Sequence, residues 1–321
     1  MPHGPRWRPR AARRAMMLLV MPPAALAGAT GDAAHGQATT APAADAAPVV
    51  PDPDTTRRDS AFQPDPLLIS PDTATGLTDF IADHFAAHEP VYILFGPDEP
   101  NVKFQLSFKY RILTDESRLA QAAPVLSGFH FAYSQTSFLD TEILSKPVYD
   151  TSYRPAVLWA GQWAVTGPNP VNLTAVGVEA GYQHESNGRA ELDSRSMDTI
   201  YVEPQFVFGA PDDLHLAVGP RFIGYVGSLT ENPDLKDYRG HVELRSVLGF
   251  GDGLAVAFTG RLGDDWDNGA VQLDVTYPLG KLLAGGVDVY LEAQYFNGTG
   301  ETLRDYDQHS QTARFGIALV R

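Results

Sequence analysis

The chain has 321 residues, 44% of them apolar, 10% aromatic and 20% charged, with 29 Gly, 25 Pro and no Cys. That composition excludes fibrous, coiled-coil and disulfide-stapled architectures. Asp and Glu number 39 against 24 Lys and Arg, a net charge of −15, which argues against a nucleic-acid partner.

Charge is unevenly placed along the chain. Arg6, Arg8, Arg10, Arg13 and Arg14 precede a short apolar run over 16–20 and the small-residue end Ala25-Leu26-Ala27. A basic segment, an apolar core and an A-x-A end predict an export signal over residues 1–27 rather than a membrane span; the alternative is a disordered basic tail. Cleavage after Ala27 would shift the net charge from −15 to −20. Residues 28–75 are dominated by Ala, Pro, Thr and Asp and hold too little apolar surface to offset ordering entropy, so they predict a disordered leader. The folded domain is expected over 76–321. It opens with Leu77, Phe80, Ile81 and Phe85 at helical spacing, which predicts one short amphipathic helix.

Beyond Val91 no stretch reaches the roughly 18 apolar residues that a membrane helix needs. The chain instead breaks into short segments rich in Val, Tyr, Phe, Thr and Gly, separated by turn residues. Twelve strands are predicted, at 91–96, 102–110, 126–138, 152–163, 172–187, 197–210, 214–227, 239–250, 252–263, 269–278, 285–297 and 311–320. An even count fits an all-β fold, a twelve-stranded antiparallel transmembrane β-barrel. Alternation supports it over a secreted sandwich: Val176, Val178, Ala180 and Tyr182 share one face of the fifth strand, while Ala175, Gly177, Glu179, Gly181 and Gln183 share the other. The sixth strand sets Ile200, Val202, Pro204, Phe206 and Phe208 against Thr199, Tyr201, Glu203 and Gln205, and the eleventh sets Val287, Val289, Leu291, Ala293 and Tyr295 against Asp288, Tyr290, Glu292 and Gln294.

Extending the apolar face of the fifth strand past Tyr182 brings His184 and Ser186 onto the lipid side, and the sixth strand read backwards adds Asp198. A hairpin centred on Glu191 sets His184 opposite Asp198, with Cβ atoms about 4.5–5.5 Å apart. Hydroxyl, imidazole and carboxylate then stand in the order that nucleophilic acyl transfer requires. The alternative is that this end of the hairpin rises above the bilayer, where polar residues are ordinary and a charge costs only about 0–1 kcal/mol. No G-x-S-x-G elbow, P-loop or H-E-x-x-H helix is present. The acidic run 263–269 lacks the calcium-loop pattern and reads as a turn; His130, His215, His241 and His309 share no face with a hydroxyl.

The segment Gly181-Tyr182-Gln183-His184-Glu185-Ser186-Asn187-Gly188-Arg189, followed by Ser194-Arg195-Ser196, resembles the core motif of the outer-membrane phospholipase A family. Weaker likeness runs from Lys103 to the end, through Ser145-Lys146-Pro147, Tyr153-Arg154-Pro155, Glu231-Asn232-Pro233-Asp234 and residues 295–303. The resemblance implies a twelve-stranded outer-membrane barrel that hydrolyses acyl esters of phospholipids and lysophospholipids, with Ser186 as nucleophile, His184 as base and the Gly188 amide at the oxyanion. Asp198 stands where the family characteristically carries Asn. The resemblance further implies Ca²⁺, held by the Arg189 carbonyl, the Ser194 hydroxyl and Ser145 of a second subunit in an active homodimer. Glu191 and Glu231 fall where the family has acids able to bind calcium in the monomer. A non-catalytic porin-like barrel and a soluble ligand-binding sandwich are the competing readings.

Overall fold

The computed structural model describes residues 77–142, 147–264, 266–283, 285 and 287–321. The expected export signal and leader, and Ser145, lie outside them. Twelve strands follow in chain order: β1 (Val91–Phe95), β2 (Val102–Arg111), β3 (Phe129–Leu139), β4 (Val148–Ala164), β5 (Leu173–Ser186), β6 (Ser196–Phe208), β7 (Leu214–Val226), β8 (Val242–Phe250), β9 (Ala255–Leu262), β10 (Gly269–Pro278), β11 (Tyr290–Thr299) and β12 (His309–Val320). Each pairs antiparallel with its sequence neighbours, and β12 closes on β1 through Phe315 opposite Phe95 and Ile317 opposite Ile93. Closure leaves no unpaired edge, the condition for placing strands in hydrocarbon.

The burial pattern is inverted relative to a soluble sandwich, and this overturns that reading. On β2, Lys103, Gln105, Ser107 and Lys109 are buried while Leu106 and Phe108 are exposed. On β6, Thr199, Tyr201 and Glu203 are buried and Ile200 and Val202 exposed. The interior is held by paired charges: Arg221 Nε donates to Glu203 at 2.7 Å and its Nη2 to Glu179 at 3.2 Å, and Tyr201 donates to Glu179 at 2.8 Å. A polar lumen inside an apolar wall is the arrangement of a membrane barrel, whose surroundings reward exposed apolar groups.

The predicted helix is α1 (Leu77–His84). His84 Nδ1 donates to the Arg111 carbonyl at 2.7 Å and its ring stacks on Tyr110, after which Phe85–Ala86 pair with Tyr110 and Lys109. Three short helices interrupt the loops: α2 (Arg118–Ala122), α3 (Leu235–Arg239) and α4 (Leu279–Leu282). Connecting turns and helices account for the differences at two strand starts. Strand β3 starts at Phe129 rather than 126 because Pro124–Gly128 forms a tight 3₁₀ turn, and β11 starts at Tyr290 rather than 285 because α4 and an irregular stretch take up the connection. Val287 and Val289 therefore lie outside the eleventh strand.

Candidate active site on the outer wall

The β5–β6 ladder aligns His184 with Asp198, Ser186 with Ser196 and Tyr182 with Ile200. This is the register that symmetry about Glu191 predicts. The intervening residues Gln183, Glu185, Met197 and Thr199 line the barrel's interior cavity of about 1020 Å³, and Ser186, His184 and Asp198 do not. Strand parity therefore turns the three reactive groups outward, with the His184 and Asp198 side chains 38% and 36% exposed.

His184 Nδ1 lies 2.9 Å from Asp198 Oδ1. A carboxylate there fixes the proton on Nδ1 and leaves Nε2 as the nitrogen able to accept one from a hydroxyl. Tyr182, read from the sequence only as part of the apolar wall, donates its hydroxyl to the same Asp198 oxygen at 2.5 Å. Tyr153 of β4 stands opposite Ser186, and Val226 of β7 opposite Asp198.

The loop 187–195 is held by the buried side chain of Asn187. Its Nδ2 donates to the Asp193 carbonyl at 2.8 Å, and its Oδ1 accepts from the amides of Arg195 at 3.0 Å and Arg189 at 3.3 Å. The Arg189 guanidinium donates to the carbonyls of Tyr149 and Val148 and lies 3.5 Å from Asp150. Between them Gly188 adopts φ +63°, and a Cβ there would sit 3.0 Å from the Tyr153 ring. Glycine is required twice over at that position, by the left-handed backbone and by the close ring. From behind, the fully buried Asn232 accepts the Ser196 amide at 3.1 Å, and Glu231 accepts the Ser196 hydroxyl at 3.0 Å. Tyr306 donates to Asp234 at 2.5 Å, and burial followed by that bond pushes its hydroxyl well above the ordinary tyrosine value.

Among the described residues no cluster of three or more His, Cys, Asp or Glu side chains is placed to hold a metal ion. The implied calcium donors are of another kind. The carbonyls of Glu191, Leu192, Asp193 and Ser194 are taken by Ser194, Arg195 and Asn187 donors, whereas no donor among the described residues takes the Arg189 carbonyl or the Ser194 hydroxyl. Two uncommitted neutral oxygens in the loop that carries the exposed Glu191 are donors of the kind a hard, oxygen-seeking cation takes. Glu231 lies under Ser196, 35 residues along the chain.

The family model for phospholipase A1 matches residues 80–319. The phospholipase A1 of Klebsiella pneumoniae is 30% identical over 225 residues, 68% of this chain and 69% of that protein; that of Escherichia coli K12 is 28% identical over 224 residues, with the same coverages. The solved outer-membrane phospholipase A of E. coli superposes with a TM-score of 0.59 at 23% identity, over 73% of this chain and 98% of that one. A Salmonella typhi outer-membrane phospholipase, solved as a dimer with bound calcium, gives 0.59 at 22% identity over 73% and 92%. The likeness to these two structures is one of fold.

Proposed function

The chain belongs to the phospholipase A1 family, and from that premise we propose that it hydrolyses sn-1 and sn-2 acyl esters of phospholipids and lysophospholipids through Ser186, His184 and Asp198. The observation that carries the reading is the outward placement of a hydrogen-bonded His184–Asp198 pair beside Ser186. The protein resides in the outer membrane, so a nucleophile on the barrel's outer wall reaches an ester without drawing the lipid out of its solvent.

In the first half-reaction the Ser186 Oγ attacks the ester carbonyl carbon while His184 Nε2 takes the hydroxyl proton. Asp198 holds Nδ1–H and stabilises the imidazolium that results. The Gly188 N–H donates to the developing oxyanion, a contribution commonly about 2.7–4 kcal/mol per donor. The ester C–O bond then breaks, His184 returns its proton to the leaving lysophospholipid or glycerol oxygen, and Ser186 keeps the acyl group. Water, deprotonated by His184, cleaves that acyl ester, and the proton passes back to Ser186 as the fatty acid departs.

Ca²⁺ would be held by the Arg189 carbonyl and the Ser194 hydroxyl together with Ser145 of a second subunit, which makes the active species a homodimer. When bound, the cation supplies a positive charge near the oxyanion and polarises its waters. Glu191 and Glu231 are the proposed calcium-binding acids of the monomer.

Hydrolysis of a phospholipid in detergent micelles tests this reading. Calcium should sustain it, a chelator should abolish it, and Ser186→Ala should remove it with calcium present. Hydrolysis undiminished in Ser186→Ala would sink the serine mechanism, and full activity under chelation would remove Arg189, Ser194 and Ser145 from the site.

A further inference from the structure

Asp198 Oδ1 accepts two hydrogen bonds on the lipid-facing wall, from His184 at 2.9 Å and from the Tyr182 hydroxyl at 2.5 Å. The geometry follows from the ladder. Tyr182 lies two residues before His184 on the same face, diagonal to Asp198, and a diagonal neighbour is within reach of an aromatic side chain. A carboxylate on an apolar wall needs donors, because one left short of partners costs far more than a neutral group. The Tyr182 contact has the length of a charge-assisted O–H···O⁻ bond, about 2.5–2.7 Å.

We propose that Tyr182 is a positioning residue that tempers the Asp198 carboxylate, so that an acid can serve in this site without holding His184 in its protonated form. The inference rests on the reading of Ser186, His184 and Asp198 given above. A carboxylate beside an imidazole favours the imidazolium, and an imidazolium cannot accept the Ser186 proton. An O–H donating to the same oxygen draws off part of the charge that His184 would otherwise meet. The hydroxyl also competes with Nδ1–H for that oxygen, which keeps the carboxylate from closing fully on the ring.

The nearest further acid on this side is Glu231, which accepts the hydroxyl of Ser196, two residues before Asp198; the strands flanking the pair set no charged residue opposite it. On β4, Pro155 is in register with His184, and the titratable Tyr153 is opposite Ser186; Tyr133 of β3 is opposite Pro155. On β7, Val226 is opposite Asp198. The nearby charges Arg154, Glu185 and Arg239 are turned to the lumen, where they pair with Glu89 and with one another.

The test is the pH dependence of kcat/KM for micellar phospholipid hydrolysis by the calcium-loaded protein and three variants: Tyr182→Phe, Asp198→Asn and the double variant. Removing only the hydroxyl should move the acid limb of Tyr182→Phe to higher pH by about half to one unit, a roughly three- to tenfold loss of rate on that limb. With Asp198→Asn there is no carboxylate to temper, and the added Tyr182→Phe change should leave the acid limb in place. Heat-modifiable migration of each variant reports folding independently of activity.

A Tyr182→Phe profile superimposed on the wild type, one moved to lower pH, or an equal displacement in both backgrounds would each overturn the proposal. A change of KM alone would do the same, since it would mark Tyr182 as a simple acyl-chain contact. Failure of the wild type to hydrolyse lipid, or survival of hydrolysis in Ser186→Ala, would instead bring down the underlying serine mechanism and this inference with it.

Discussion

Asn187 and Arg195 close the loop between β5 and β6 on itself: the Asn187 amide donates to the Arg195 carbonyl at 3.1 Å, and the Asn187 Oδ1 accepts the Arg195 amide at 3.0 Å. With its Nδ2 on the Asp193 carbonyl, this one side chain replaces the backbone ladder where β5 and β6 stop pairing. Asn187→Ala would leave those loop groups unpartnered, at about 1–3 kcal/mol for a buried group. Urea unfolding should show that loss. Hydrolysis should fall more steeply than stability, because the next residue is Gly188; a variant with native activity would show that the loop does not need the clamp.

Gly188→Ala should be a catalytic lesion with a modest stability cost. Its φ of +63° costs a side-chain-bearing residue about 1–2 kcal/mol, and the added Cβ meets the Tyr153 ring at 3.0 Å. Relief of that contact turns the amide away from the oxyanion. The expected signature is kcat lowered by about 10²–10³ with KM little changed, read from initial rates in micelles.

Asp198→Ala removes the only acid on this face of the hairpin and leaves His184 Nδ1 without its oxygen. The ring is then free to choose either tautomer. A kcat about 10²–10⁴-fold below wild type is expected, the range that a positioned general base contributes. Asp198→Asn keeps an oxygen acceptor and should retain most activity at neutral pH.

The barrel was legible from the sequence because lipid and lumen impose opposite demands at a period of two, which the segments around Val178, Val202 and Leu291 meet, and because the count of segments was even. The placement of the three candidate residues was legible for a related reason: parity put His184, Ser186 and Asp198 on one face, and symmetry about Glu191 gave the register of the ladder. Parity says less about Tyr182: its ring fits the apolar wall, and nothing in the alternation marks its hydroxyl. Its hydroxyl found Asp198 only once the diagonal of the ladder was known. Asn187 and Arg189 stood in the motif, but what their side chains do was not legible: Asn187 bonds backbone groups of its own loop, and Arg189 reaches carbonyls and Asp150 on β4. The lumen pairs were hidden likewise: Arg239, for instance, reaches Glu185 across 54 residues.

Glu301 predicts how the barrel answers acid. It lies in the loop after β11, bonded to Lys103 at 3.4 Å and Arg314 at 2.5 Å. Burial alone would raise its carboxyl, but these two cations bring it below the ordinary carboxylate value. A folded-state value below the unfolded one means the stabilisation is complete above the unfolded value, about 4.3, and is lost as pH falls through the folded value. Glu301→Gln should therefore be destabilised by about 3 kcal/mol at pH 7, as expected for breaking a buried pair. The gap to wild type should narrow below pH ~4.3, and a constant gap across that range in urea unfolding would exclude the assignment.

Outward orientation can be tested away from the chemistry. Val202 sits midway along β6, 44% exposed, and its neighbour Glu203 is 2% exposed in the lumen. If the wall around Val202 meets hydrocarbon, Val202→Arg places an unpaired guanidinium near the bilayer midplane, at a cost of about 2–4 kcal/mol. Val202→Leu enlarges the side chain without adding a charge and should fold as the wild type does. Unfolding of both variants in lipid vesicles separates the cases, since in water an exposed arginine at this position would cost almost nothing. Equal stability of the two would mean that β6 does not face lipid, and the His184–Asp198 pair would lose its place beside the substrate.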